Sequence, residues 1–446
     1  MEDNAAPDAS LPPPADLQPA PGPGPDLGPD RREARRDLAT TLARHGRSDE
    51  CIALWRTDAA YDAEDLAWLE HQSWLALLEQ DLPVAGEYAR IHAAVRLGSA
   101  WYPRSAPPPR PDAPDAPDVH LTVAKLRHDI DQFRYLHQRG LLGNEFIDII
   151  RSYEETASHL ESAGADGPVA PAAPAWRDIE PVYGRLVHVR DTPRVRRALS
   201  DAWRPQEVEN QYLDQPPGVV VIDDFLAPDA LDELQRFCLE STVWTGNRYA
   251  HGRLGAFFRD GFNCPLLLQV AEEVRDALPR VIGKRYPLRQ LWAFKNQSDF
   301  PADSNTHADF AAVNLNFWIT PTEANLDEES GGLVVYGVDA PLDWDFATYN
   351  NRADVIRPYL REQHAKSFKI PYRQNRAILF NSDLFHGTDG LSFRPGYENR
   401  RINITMLYGE RENDTHHRQP SPATSHNGAP AAWRSGAFGR ARGYRP

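Results

Sequence analysis

Between residues 288 and 409 the sequence carries a succession of short apolar runs separated by Gly, Pro, Asn and Asp. Such runs are typical of β-strands, and many of them in series favour a sandwich or a double-sheet jelly roll. A further strand, buried on both faces, is predicted within 217–225, and helices over 227–239 and 269–278 would support one sheet. The predicted strands of the β-rich region are 291–294, 313–320, 332–336, 367–370, 377–380 and 402–408.

The region from residue 31 to residue 161 has a helical pattern, with apolar residues at three- and four-residue steps. The predicted helices come in pairs, and this arrangement weakly resembles a tetratricopeptide-like array. The resemblance implies a concave surface for a protein partner or a carrier-bound substrate, or a face for dimerisation. A helical region that only shields one edge of the sheet is the alternative.

A chain of 446 residues is too long for one ordinary core, so we predict an α+β multidomain protein with an all-α region followed by a jelly roll. A Pro-rich start and a Gly/Arg-rich end predict disordered tails, because neither segment can bury enough apolar surface to offset its ordering entropy. The predicted divisions are a tail at 1–30, a helical domain at 31–162, a linker and entry segment at 163–215, a β-rich domain at 216–411 and a flexible tail at 412–446.

The charge of the chain argues against two classes of partner. Its 49 basic and 64 acidic side chains give a net charge of −15, which disfavours broad binding to nucleic acid or to an anionic membrane. Three distant cysteines support neither a disulfide framework nor a zinc knuckle. There is no signal-peptide pattern or long apolar stretch, so we expect a cytoplasmic protein.

Candidate metal ligands lie in the β-rich region. In extended backbone, residues two apart point to the same face, so His307 and Asp309 could reach one ion. His386 follows the predicted strand 377–380, and a histidine just past a strand end is a natural third ligand. A surface ion pair and a satisfied core histidine are the alternatives for these residues.

The last predicted strand opens with a cation. Period two places Arg401, Asn403 and Thr405 on one face of the strand. A buried arginine must be paired, and a bidentate carboxylate fits its planar fork best. The strand 313–320 alternates in the same way, so Asn316 is a candidate for lining a cavity. The same role is assigned to Asn403, Tyr336 and Trp292, although the strand around Trp292 suits the core better than a pocket.

The ordered set of His307, Asp309, a Gly-Gly-Leu strand start at 331–333, His386 and Arg401 resembles the iron(II)/2-oxoglutarate-dependent oxygenase superfamily. The resemblance covers about 217–409 and is nearest to the prolyl-hydroxylase-type double-stranded β-helix. It implies that His307, Asp309 and His386 bind Fe(II), with three coordination positions left open for 2-oxoglutarate and O2.

The same resemblance makes Arg401 the anchor of the 2-oxoglutarate carboxylate, with Arg400 ranked second because it faces the other way. Thr405, Tyr336 and Ser382 are the candidates for a hydroxyl partner of that carboxylate. The insert 340–365 would be a lid, a substrate wall or a plain surface excursion.

The implied reaction is hydroxylation, or a related C–H oxidation, with succinate and CO2 as coproducts and ascorbate as an optional reductant. The substrate, a small molecule or a protein side chain, is not readable from the sequence. A cupin-like metalloenzyme that does not use 2-oxoglutarate and a non-catalytic helical interaction protein are the rival interpretations.

Overall fold

The structure is a computed structural model that describes residues 29–57, 63–99, 101–102, 120–164, 176–247, 249–301 and 306–411. Most of the predicted 1–30 tail, the whole predicted 412–446 tail and most of the Pro-rich breaks lie outside these residues. The described part contains helices and antiparallel sheets, so the mixed α+β class is confirmed. The predicted domain boundaries stay predictions.

The helices are α1 (Pro29–Arg44), α2 (Ser48–Thr57), α3 (Ala63–Leu78), α4 (Leu82–Leu97), α5 (Val123–Gln138), α6 (Glu145–Ser162), α7 (Trp176–Ile179), α8 (Pro205–Asp214), α9 (Pro228–Glu240), α10 (Pro265–Ala277), α11 (Phe346–Asn351) and α12 (Ala353–Glu362). Helices α1 to α6 lie in or at the start of the region predicted to be helical, whereas α7 and α8 lie in the predicted linker and entry segment. Asp81 caps α4 by accepting a hydrogen bond from the Val84 amide at 3.3 Å, and Thr122 caps α5 by accepting one from the Lys125 amide at 3.2 Å. Helices α3 and α4 pack together, as do α5 and α6.

The β-rich region forms two main antiparallel sheets, and the chain passes between them repeatedly. The strands are β1 (Val220–Ile222), β2 (Leu254–Phe257), β3 (Leu288–Lys295), β4 (Asp299–Phe300), β5 (Val313–Trp318), β6 (Leu333–Asp339), β7 (Ser367–Ile370), β8 (Ala377–Asn381), β9 (Leu384–Thr388), β10 (Leu391–Ser392) and β11 (Ile402–Tyr408). The large sheet has the order β1-β8-β5-β11-β3-β2, the small sheet has the order β7-β6-β9, and β10 pairs with β4.

The two faces of the large sheet have different partners. On one face Leu315 and Ile404 join a core shared with α4, α9 and α10. On the other face Trp318 and Phe380 pack against Val335 of the small sheet. Side chains alternate along each strand, so the polar side chains of β5 and β11 lie on the same face of the large sheet as Trp318. This face, which looks towards the small sheet, is the inner wall.

One local prediction was wrong. The strand within 217–225 was expected to be buried on both faces, but β1 is a three-residue edge strand whose Val221 is 40% exposed.

The insert 340–365 contains α11 and α12. Leu360 of α12 and Tyr349 of α11 are buried against Phe385, so the insert covers the small sheet.

Candidate metal centre and its surroundings

The two candidate histidine ligands face each other across one antiparallel bridge. The His307 amide donates to the His386 carbonyl at 2.9 Å, and the His386 amide donates back at 2.8 Å. The imidazole ring centroids are 4.5 Å apart. His386 lies inside β9 and not just past a strand end as predicted, because the chain turns back into a second strand immediately after β8.

Asp309 completes the cluster and is buried. Its Oδ1 lies 3.6 Å from His307 Nε2, and its Oδ2 lies 3.4 Å from His386 Nε2. The potential ligand atoms of the three residues all lie within 4.8 Å of one another. A single ion placed among them could therefore contact all three side chains.

The backbone of residues 307–309, the ligand loop, is held by hydrogen bonds at three successive residues. Besides the His307 bridge, the Ala308 amide donates to the Tyr349 carbonyl at 3.0 Å, and the Asp309 amide donates to the Ser382 carbonyl at 3.1 Å. The insert therefore contacts the ligand loop directly through α11.

Further hydrogen bonds orient the ligand atoms. His386 Nδ1 lies 3.0 Å from the Leu384 carbonyl, so Nδ1 carries the proton and Nε2 presents a lone pair. Asn314 Nδ2 donates to Asp309 Oδ2 at 2.6 Å and not to Oδ1, which lies beside His307 Nε2. Burial raises the pKa of Asp309, but the neighbouring side chains of His386 and His307 and the Asn314 hydrogen bond outweigh it and lower the pKa below its usual value.

The donor set is thus two imidazole nitrogens and one carboxylate that stays ionised. Two histidines and a carboxylate on one side of an ion suit ferrous iron with open positions. The donor chemistry of these three residues therefore fits Fe(II).

A chain of polar side chains leads from Asp309 along the inner wall of the large sheet. Asn316 Nδ2 donates to Asn314 Oδ1 at 2.6 Å, and Asn316 Oδ1 accepts from Thr405 Oγ1 at 2.6 Å and from Asn403 Nδ2 at 2.9 Å. Three predicted residues, Asn316, Asn403 and Thr405, therefore meet here. Asn314 was not singled out from the sequence, although the Asn-x-Asn alternation on β5 was its signal.

Arg401 is enclosed beside this wall at 1% exposure. Its Nε donates to the Gly331 carbonyl at 2.6 Å, and a terminal nitrogen donates to the Gly332 carbonyl at 3.1 Å. The guanidinium carbon lies 5.3 Å from the Trp318 ring centre. No carboxylate of the described residues lies within salt-bridge distance, and burial lowers the Arg401 pKa to about 10, so the group remains a cation at neutral pH.

Arg400 points away from this interior. Its guanidinium donates to Asp131 of α5 at 2.9 Å. Of the two candidate anchors, only Arg401 therefore presents its charge between the sheets.

The other predicted site residues are placed differently. Trp292 lies opposite Thr405 in the strand register and is buried with Leu407. Tyr336 packs with Phe385 and the insert and is not brought to the polar wall. The hydroxyl of Ser382 is buried without a hydrogen-bond partner among the described residues, next to the carbonyl that holds Asp309.

The chain is similar to several solved structures, whereas no family model and no curated protein matches it. One is the epimerase SnoN in complex with Fe3+, α-ketoglutarate and nogalamycin RO, with 12% identity over 51% of this chain and 94% of that chain and a TM-score of 0.34. Another is HygX from Streptomyces hygroscopicus with nickel and 2-oxoglutarate bound, with 15% identity over 45% of this chain and 86% of that chain and a TM-score of 0.31. A third is a Pseudomonas putida prolyl-4-hydroxylase, with 10% identity over 49% of this chain and 99% of that chain and a TM-score of 0.25. Likeness at this level does not assign a function, which has to follow from the side chains themselves.

No described helix is both long and apolar enough to span a bilayer.

Proposed function

We propose that the protein is an Fe(II)- and 2-oxoglutarate-dependent oxygenase that hydroxylates, or otherwise oxidises a C–H bond of, its substrate. The observation that carries the proposal is the pairing of a His307, Asp309 and His386 cluster with a buried, acid-free guanidinium on the same inner side of the β-sandwich. A metal site alone fits many enzymes. The additional buried cation calls for a ligand that brings its own negative charge.

The roles of the residues follow from their surroundings. His307, Asp309 and His386 would hold the iron, and Asn314 would keep the Asp309 carboxylate turned so that Oδ1 faces the ion. Arg401 would bind the distal carboxylate of 2-oxoglutarate, because its planar fork suits a carboxylate and the low polarity around Trp318 strengthens the attraction. Thr405 is the nearest of the predicted hydroxyl partners to this polar wall.

Bound Fe(II), with 2-oxoglutarate and O2, would supply the oxidation of an unactivated C–H bond coupled to release of succinate and CO2. The protein would hold the ligands, orient the substrate and keep water out. The aromatic side chains of the insert, which pack behind Ala308, would limit solvent entry from that side.

The test is an anaerobic titration of the protein with Fe(II) and 2-oxoglutarate, watched for the weak visible charge-transfer band of an iron–keto-acid chelate. We expect the band in the wild type and its loss in His386→Ala. His71→Ala is the matched control, because His71 stacks on Trp74 away from the cluster.

Two results would contradict the proposal: no band in the wild type, or an unchanged band in His386→Ala. If iron binds but no succinate forms with O2 and ascorbate, the cupin-like alternative would be favoured. If no iron binds, the non-catalytic alternative would be favoured.

A further inference from the structure

A second buried guanidinium, that of Arg253, lies just before β2. The residue is only 9% exposed, and its Nε has no hydrogen-bond partner among the described residues. Its guanidinium carbon lies 4.3 Å from the centre of the Phe294 ring and 5.1 Å from that of Tyr249. In the described part of the chain no carboxylate forms an ion pair with it, so ring faces are its main neighbours.

The strand register places this arginine and Arg401 on either side of β3. Leu254 of β2 and Ile402 of β11 both lie opposite Lys295 of β3. One position away along each strand, Arg253, Asn296 and Arg401 therefore form a row across the sheet, and the Asn296 amide donates to the Arg401 carbonyl at 2.9 Å.

This row faces the space between the sheets. Leu254 and Ile402 belong to the core on the helix side, and neighbouring residues alternate between the two faces of a sheet. The contacts agree, because Arg253 lies over Phe294 and Arg401 lies over Trp318, which packs between the sheets.

Asn296 in the middle of the row is an unsatisfied polar side chain. It is 1% exposed, and neither its amide nitrogen nor its amide oxygen has a partner among the described residues. The amide oxygen of Asn403, on the neighbouring strand, also has no partner in the described part of the chain. An unpaired buried polar group destabilises the fold, so a ligand that satisfies these groups would be bound favourably.

One bound molecule of 2-oxoglutarate would not neutralise both buried guanidinium groups between the sheets. Arg253 and Arg401 are close enough for the charge of one to lower the pKa of the other. In the proposed function one carboxylate of 2-oxoglutarate would bind the metal and the other would bind Arg401. Arg253 is then left without a negative partner.

We propose that Arg253 and Asn296 form a subsite for a carboxylate of the primary substrate, so that the substrate is an organic acid; this inference rests on the proposed function. A single guanidinium matches the single charge of a carboxylate, and Asn296 offers an N–H donor to the second oxygen. Phe294 and Tyr249 would pack against the apolar part of the acid.

The test is isothermal titration of the full chain, loaded with Mn(II) and saturating 2-oxoglutarate, with acetate and with benzoate. Acetamide and benzamide are the neutral counterparts. We expect at least one acid to bind more than tenfold tighter than its amide. In Arg253→Gln that preference should disappear while the affinity for 2-oxoglutarate changes less than about twofold. Arg400→Gln is the matched control, since Arg400 is engaged with Asp131 outside the interior.

A second variant keeps the test decisive if Arg253→Gln folds poorly. Asn296→Asp should place a carboxylate beside Arg253, raise the melting temperature and abolish acid binding through charge repulsion. Failure of both acids to bind the wild type, equal binding of acid and amide, or retained acid binding in Asn296→Asp would overturn the subsite.

The same measurements separate this proposal from the proposed function. If Arg253→Gln loses 2-oxoglutarate binding instead, Arg253 belongs to the cosubstrate site and the substrate subsite is wrong. If the wild type binds neither Mn(II) nor 2-oxoglutarate, the proposed function fails, and the subsite falls with it as a substrate site.

Discussion

The guanidinium of Arg400 donates to the carboxylate of Asp131 across 2.9 Å and so joins β11 to helix α5. The next residue, Arg401, turns to the opposite side and is enclosed between the sheets. Adjacent arginines therefore serve different structures: one connects the helical region to the sheet, and the other places a charge beside the candidate metal centre.

This relationship predicts different consequences for two similar substitutions. Arg401→Ala should lower the affinity for 2-oxoglutarate at least about 100-fold while Mn(II) still binds, because it removes a charge-assisted bidentate contact that is shielded from water. Arg400→Ala should change that affinity less than about threefold and lower the free energy of unfolding by about 1 kcal/mol or less, since the ion pair is partly exposed. Calorimetric titration and urea unfolding measure both quantities. Equal losses of 2-oxoglutarate affinity in the two variants would refute the assignment of the anchor.

Asn314 supports a second prediction, because it holds the Asp309 carboxylate and is not itself one of the three proposed metal ligands. Asn314→Ala should weaken Mn(II) or anaerobic Fe(II) binding by about 10–100-fold, as is usual when the partner of a metal ligand is removed. The control is Asn350→Ala, which removes an amide that donates to the Ala308 carbonyl at 2.9 Å and leaves the Asp309 carboxylate untouched. An Asn314 variant with wild-type metal affinity would show that the hydrogen bond does not orient the ligand.

Gly332, which directly precedes β6, and Gly337, which lies within it, give a prediction on stability. A Cβ on Gly332 would overlap the Ile370 carbonyl oxygen of the paired strand, so the backbones would have to separate. Gly332→Ala should lower the free energy of unfolding by about 3 kcal/mol or more and also weaken 2-oxoglutarate binding, because the Gly332 carbonyl holds Arg401. Gly337→Ala on the same strand is the control, since its Cβ would meet the Phe368 ring at 3.3 Å, and that ring is partly exposed and free to move. Urea unfolding of the two variants measures the difference, and equal stability would contradict the predicted clash.

The buried pair Arg96–Asp260 predicts a pH dependence. Arg96 contacts Asp260 at 2.7 Å and Arg259 lies 3.7 Å from it, and although burial raises the pKa of Asp260, these charges outweigh burial and lower it. A carboxyl whose folded-state pKa is lowered stabilises the protein above its unfolded pKa of about 3.9, and this stabilisation is lost as the pH falls through the folded-state pKa.

Asp260→Asn should therefore lower the free energy of unfolding by about 3–5 kcal/mol at pH 7, and the difference from wild type should shrink below about pH 4. Urea unfolding as a function of pH gives the comparison. The exposed Asp354, which pairs with Arg352, supplies the control Asp354→Asn, for which no measurable change in the free energy of unfolding is expected because water screens the pair. A difference for Asp260→Asn that stays constant from pH 7 to pH 3 would contradict the prediction.

Much of the fold and the candidate site could be predicted because the deciding signals are local. The period-two alternation of β5 and β11 was enough to place Asn316, Asn403, Thr405 and Arg401 on one wall. What could not be predicted depends on pairing between distant segments. The position of His386 inside β9 requires the partner strand β6, and the row of Arg253, Asn296 and Arg401 requires the register of three strands. The packing of Tyr336 against the insert depends on the same long-range information, since alternation along β6 gives two faces but does not say which one meets the insert.

Three consecutive amides, those of His307, Ala308 and Asp309, donate to three different segments of the chain. Folding alone therefore fixes the backbone of the ligand loop, and metal binding is not needed to form it. We expect these amides to exchange slowly with solvent even in the metal-free protein. The rate of iron uptake should then be limited by loss of water from the hydration shell of the ion. Removal of the iron should leave the backbone of the ligand loop unchanged, so that iron can bind again.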